Sequence, residues 1–101
     1  MRRAADAWFA DIDVLATPTV PVPAPTFGEL AADPAALRPR ELVLMRNTRP
    51  FDIWGTPALS VPCGVTREQL PIGFQLAARI GADAEVLRVG AALERVVSRA
   101  R

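Results

Sequence analysis

Between Arg46 and Ala78 the apolar positions gather into two short runs bounded by glycine and proline. Pro57 can open a strand, because a missing N–H is tolerated at a first strand position, and Ala58-Leu59-Ser60-Val61 then form a run closed by Pro62 and Gly64. Ala58 and Ser60 would share one face of it, where backbone can approach closely, and Leu59 and Val61 the other, where bulk can pack. The second run opens at Pro71 and sets Ile72, Phe74 and Leu76 against Gly73, Gln75 and Ala77, a period of two that predicts a strand with one apolar face. Residues 63–70 are too few for a parallel crossover, which takes roughly a dozen or more, so the two strands are expected to pair antiparallel through a loop carrying Thr66, Arg67, Glu68 and Gln69. At Gly55 and Gly73 a Cβ is expected either to meet an unfavourable positive φ or to strike neighbouring backbone.

The flanks carry weaker patterns. Arg2 to Ala10 reads as a short helix with Ala4, Ala7 and Trp8 near one face, Trp8 and Phe9 as core residues, and no capping residue ahead, as though the helix had been cut into. Ile12 to Thr17 reads as a third strand, ended by Pro18. Four prolines from Pro18 to Pro25 predict an extended, polyproline-like passage that Phe27 and Leu30 would anchor. A turn is expected after Asp33, interrupted at Pro39, with a helical piece from about Arg40 to Asn47. The last helix is expected from an Asp83 cap to about Ser98, its stripe built from Val86, Gly90, Leu93 and Val97 and widened by Val89 and Val96, with Glu85 and Arg88 three apart for pairing.

Composition narrows the chemistry more than the fold. A chain of 101 residues permits one domain at most, half of it is apolar and its formal net charge is +1, so neither disorder nor electrostatic nucleic-acid binding is favoured. All twelve basic residues are arginine, and the absence of Lys, His and Tyr removes most general bases. Cys63, the only cysteine, can form neither an intrachain disulfide nor a multi-cysteine metal site, and reads as a small core residue. No metal or cofactor is expected. No apolar run approaches the ~18 residues of a membrane span, and the start lacks the long apolar region of a secretion signal, so the expected setting is cytoplasmic, away from membranes.

In order along the chain, Asn47-Thr48, Pro50-Phe51, Gly55, Pro57-Ala58, Pro62-Cys63-Gly64, Leu70-Pro71, Gly73 and Gln75 resemble the C-terminal end of amidase signature enzymes. Asp13-Val14-Leu15 with Thr17-Pro18-Thr19 extends the likeness upstream, as a strand entering a Pro-rich loop. The resemblance implies an α/β fold seen in part: residues 1–101 as a single partial domain, about three strands including an antiparallel pair, and two to three helices. It also implies amide-bond hydrolysis by two serines and a lysine carried upstream of the matched portion. Ser60 and Ser98, the only serines here, have no base beside them, so no catalytic residue is assigned and the chain alone is expected to be inactive. By the same likeness Thr48, Asp52 and Trp54 are candidates for one wall of the substrate pocket. Asp52 stands where the family more often has Asn, and a hydrogen bond to turn backbone is its alternative use. Asp11 and Asp13 read as turn residues. The implied partners are the missing catalytic region or a further copy of the chain, with a small amide as substrate only in the complete enzyme. The alternative is an independently expressed binding or assembly module that retains this layer of the fold.

Overall fold

The period-two run at Pro71 forms the middle of a three-stranded antiparallel sheet. In the computed structural model, which describes residues 2–100, the elements in chain order are α1 (Arg2–Trp8), β1 (Leu15–Pro18), α2 (Phe27–Ala32), a 3-10 turn (Pro34–Ala36), α3 (Leu37–Met45), α4 (Arg49–Trp54), β2 (Ala58–Val65), β3 (Pro71–Ala77) and α5 (Asp83–Ala100). The spatial strand order is β1-β3-β2, so β3 has partners on both sides while β1 and β2 are edges. The expected β2–β3 hairpin is present, with Ala58 opposite Ala77 and Val61 opposite Phe74.

β2 does not stop at Pro62 as the sequence suggested. It continues to Val65 through a register shift between Pro62 and Gly64 that leaves Cys63 as the extra residue, a β-bulge. Its place at the edge of the sheet explains the continuation, since an edge proline can turn its missing N–H away from the ladder. Cys63 is half-buried there and donates its thiol to the Ile72 carbonyl at 3.5 Å. β1 is shorter than expected and begins at Leu15, because it pairs only where β3 lies alongside, Leu15 opposite Ala77 through Pro18 opposite Phe74.

Both faces of the sheet are covered at the Leu76-Ala77 end, where the sequence pattern predicted one apolar face. On one side Val61, Leu76, Ala78, Ala82 and Val86 are buried together, with Leu59, Phe74, Val89 and Leu93 packed around them, so the stripe of α5 lies across β2 and β3. Gly90 is the point of closest approach: a Cβ there would run into Leu59 Cδ2. On the other side Phe9, Phe51 and Ala77 form a smaller core, flanked by Leu15 and Trp54. Phe9 is buried as expected, but Trp8 is 55% exposed, because α1 ends there and turns only the next residue inward.

The structure has more helices than the expected two to three. α2 and α4 are six residues each, too short to show a helical repeat, and their signals are at their ends. The side chain of Thr26 accepts the Glu29 N–H at 3.1 Å to cap α2. α4 has Pro50 in its first turn and stops at Gly55, whose φ of 71° is the left-handed cap that glycine adopts without steric cost. Pro39 interrupts nothing, because it falls in the first turn of α3, where no intrahelical N–H is needed. Phe27 anchors nothing either: at 93% exposed it points away from the body, and only Leu30 of that helix is half-buried. Asp83 lies inside α5 rather than capping it, since the Ala82 carbonyl already accepts the Val86 N–H. Glu85 and Arg88 pair at 2.6 Å on the wet side, too exposed to contribute much stability.

The molecule is flat, 45 × 38 × 17 Å, with a radius of gyration of 15.7 Å. A closed chain of this length would have about 13 Å. Its accessible surface is 7219 Å², against roughly 5,600 Å² for a closed monomer of this size. The excess follows from one sheet with a full helix on one face and only short helices, α1 and α4, on the other.

Candidate functional site

The face of the sheet opposite α5 carries polar residues where the small side of β2 meets the polar side of β3. Gln75 is 3% exposed and donates its amide N–H groups to Thr17 Oγ1 at 3.1 Å and to the Asn47 carbonyl at 2.9 Å. One buried side chain thereby ties β1, β3 and the loop before α4 together, and Asn47 adds a second tie by donating to the Pro18 carbonyl at 3.0 Å. Next to it on β3, Gly73 has no side chain, and the hydroxyls of Thr19 and Ser60 meet across it at 2.6 Å. These two residues belong to opposite flanks of β3, one just past β1 and the other on β2, so the bond bridges the central strand. A Cβ on Gly73 would stand 2.6 Å from Ser60 Oγ and 2.9 Å from Thr19 Oγ1.

Above this floor opens a cleft of about 420 Å³ between the sheet and α4. Thr19, Ser60 and Gln75 line its base, Thr48 and Asp52 its α4 wall, and Phe51, Ala58 and Leu59 its apolar portion. Thr56, just before β2, also lines it; this residue is 8% exposed and its hydroxyl is buried with no hydrogen-bond partner among the described residues. An unpartnered buried hydroxyl carries a desolvation cost of ~1–3 kcal/mol, which a bound polar atom would offset.

Of the three residues singled out from sequence, two meet here. Thr48, the residue just before α4, and Asp52, one turn later within it, line the same side, and the Thr48 hydroxyl donates to the Met45 carbonyl at 3.4 Å. The Asp52 side chain is exposed and, among the described residues, takes no part in an ion pair or a turn hydrogen bond, so the alternative backbone-bonding use is not realised. Trp54 lies elsewhere, edge-on to Trp8 at 4.5 Å between centroids and to Phe51 at 5.8 Å, against the smaller core. Sequence reading did not place Thr19, Thr56, Ser60 and Gln75 in the cleft. Gln75 carried a signal, as a polar residue within an apolar strand; Thr56 carried none. Ser60 Oγ faces Thr19 and no base.

Two other hollows differ in character. One of about 630 Å³ beside α1 is walled by Asp6, Asp11, Asp13, Glu85 and Arg79. The other, about 590 Å³, is an apolar groove between the Pro-rich passage and α3, lined by Val22, Pro23, Pro25, Pro39, Val43 and Leu44. Among the described residues no group of three or more His, Cys, Asp or Glu side chains is arranged to hold a metal ion, and no helix is long and apolar enough to cross a membrane.

The family model described as Amidase matches residues 1–87. The chain belongs to the amidase family. Its relatives in that family include a Glutamyl-tRNA(Gln) amidotransferase subunit of Koribacter versatilis, 39% identical over 93 residues, a match covering 92% of this chain and 18% of the relative. Among solved structures, the corresponding Glutamyl-tRNA(Gln) amidotransferase subunit of Thermotoga maritima superposes with a TM-score of 0.77 at 33% identity, covering 93% of this chain and 20% of that one. A 6-aminohexanoate cyclic dimer hydrolase superposes with a TM-score of 0.78 at 34% identity, covering 91% and 21%. This amidase chain thus spans about a fifth of the length of these relatives, and its cleft belongs to an amidase-type fold represented here in part.

Proposed function

We propose that this chain is the C-terminal segment of an amidase-type hydrolase that cleaves carbon–nitrogen amide bonds, and that it contributes a wall of the substrate cleft without contributing the catalytic groups. The observation that carries this reading is a polar cleft whose serine has no base beside it. Its serine is held by a threonine hydroxyl at 2.6 Å, and the whole chain has no Lys or His to activate it. Thr48 and Asp52 form the wall, with Trp54 supporting α4 from behind. The catalytic serines and lysine are supplied by a further region of the family fold, and the substrate, a small amide, is bound only in the complete assembly. The surface supports the same reading. The excess over a closed monomer, roughly 1,600 Å², exceeds the ~800 Å² that each partner contributes to a standard interface.

The test is turnover of simple amides by the purified chain, alone and co-expressed with the preceding segment of a related amidotransferase. Activity is expected only from the combination. Turnover by the chain alone that is lost in Ser60→Ala would refute the reading.

A further inference from the structure

We infer that the cleft selects amides bearing a cationic amine, with Asp52 as the group that holds the ammonium. This rests on the reading of the cleft as a substrate wall and adds the substrate's charge. Among the described residues, Asp52 is the only charged one lining the cleft, and no arginine reaches it. The three ion pairs among these residues, Arg38–Glu41, Arg40–Glu29 and Arg88–Glu85, lie elsewhere and leave this carboxylate without a counter-charge.

The remaining polar groups argue in the same direction. An anion would meet the Asp52 carboxylate with no cation in the lining to offset it, and most donors at the base are engaged. Both amide bonds donated by Gln75 go to Thr17 and Asn47, Thr48 donates to the Met45 carbonyl, and one of the Thr19 and Ser60 hydroxyls donates to the other. What stays open is mostly acceptor capacity, the carboxylate of Asp52 and the lone pairs of the hydroxyl pair, beside the one O–H of that pair not used between them. A ligand rich in N–H groups suits that arrangement, with an ammonium at Asp52 and a carboxamide N–H₂ over the hydroxyls. The buried Thr56 hydroxyl, lining the same cleft without a partner, can accept from such an N–H or donate to the carboxamide oxygen. Phe51 and Ala58 supply an apolar stretch that suits the methylene spacer of a short ω-amino amide.

The experiment compares β-alaninamide, a cation at neutral pH, with its neutral isostere butyramide and with anionic succinamate. Binding to the 101-residue chain combined with its catalytic segment is followed by amide chemical shifts of this chain around Asp52, Thr56 and Ser60. β-Alaninamide is expected to bind about threefold more tightly than butyramide, the range of a solvent-exposed charge pair, and succinamate most weakly. The preference should shrink as salt is added. It should vanish in Asp52→Asn and persist in Asp52→Glu. Equal binding of cation and isostere, a preference untouched by Asp52→Asn, or no shifts in this cleft with any of the three would overturn the inference. Turnover by the chain combined with its catalytic segment is read separately: failure there counts against the amidase assignment, and the binding comparison alone decides the role of Asp52.

Discussion

Replacing Gly73 with alanine tests the bridge that holds the sheet together across its central strand. In an open strand position the change would stabilise by ~0.5–1 kcal/mol, because glycine loses more backbone freedom on folding than alanine does. Here the added methyl would stand 2.6 Å from Ser60 Oγ, 2.9 Å from Thr19 Oγ1 and 3.3 Å from Thr19 Cβ. Overpacking of this kind costs ~1–3 kcal/mol, and parting the two hydroxyls removes a hydrogen bond worth about 1 kcal/mol more. Thr19 cannot yield easily, since its β-branched side chain is stiff at χ1 and its N–H is fixed to the Gly73 carbonyl at 3.0 Å. The net expectation is a loss of roughly 1–3 kcal/mol, which lowers Tm by about 5–20 °C in a chain of this size. Thermal unfolding followed by circular dichroism measures it, on the chain alone or on its soluble combination with the catalytic segment. Gly28→Ala is the control, because the nearest atom to its new methyl is Thr26 Oγ1 at 3.9 Å, an ordinary contact, and α2 should gain helix propensity. Adding Ser60→Ala to Gly73→Ala removes the closest clash and should recover part of the loss, a coupling that a double-mutant cycle isolates. A Gly73→Ala protein that melts at or above the parent temperature would show that the bridge does not constrain this position.

Gly55→Val places a branched side chain at a φ of 71° and should destabilise by at least ~1–2 kcal/mol, visible as a lower Tm than the parent; an unchanged Tm would mean that α4 ends differently in solution. Gln75→Ala removes both of the donors that join β1 and the pre-α4 loop to β3, and hydrogen exchange at Leu15–Pro18 should accelerate while α5 stays protected. The isolated chain is expected to associate or to remain partly open, because β1 and β2 are both edges and the surface exceeds that of a closed monomer. Light scattering that reports a monomer, with strong amide protection in all three strands, would favour an independent module over a segment awaiting its partner.

The hairpin and the last helix were legible from sequence because their signals are local. Ile72, Phe74 and Leu76 alternate along β3, Val86, Gly90 and Leu93 recur along α5, and a window of a few residues contains what is needed to name the element, though not that both faces of β3 are covered. The lack of a lysine or histidine base was legible too, since a chain without Lys or His can supply neither from within. The ends of elements were less so: β2 passes Pro62 because it is an edge strand, and a proline does not reveal from sequence which side its neighbours lie on. Short helices such as α2 and α4 carry fewer than two turns of pattern and were visible only through Thr26, Pro50 and Gly55 at their ends. The cleft was decided by tertiary structure alone. Thr19 reaches Ser60 across 41 positions and Gln75 reaches Thr17 across 58, and the burial of Thr56 depends on α4 folding over the sheet. Periodicity tells which way a side chain points from its own element, but which groups meet depends on strand order and register, and those are set by packing energies summed over the whole sheet.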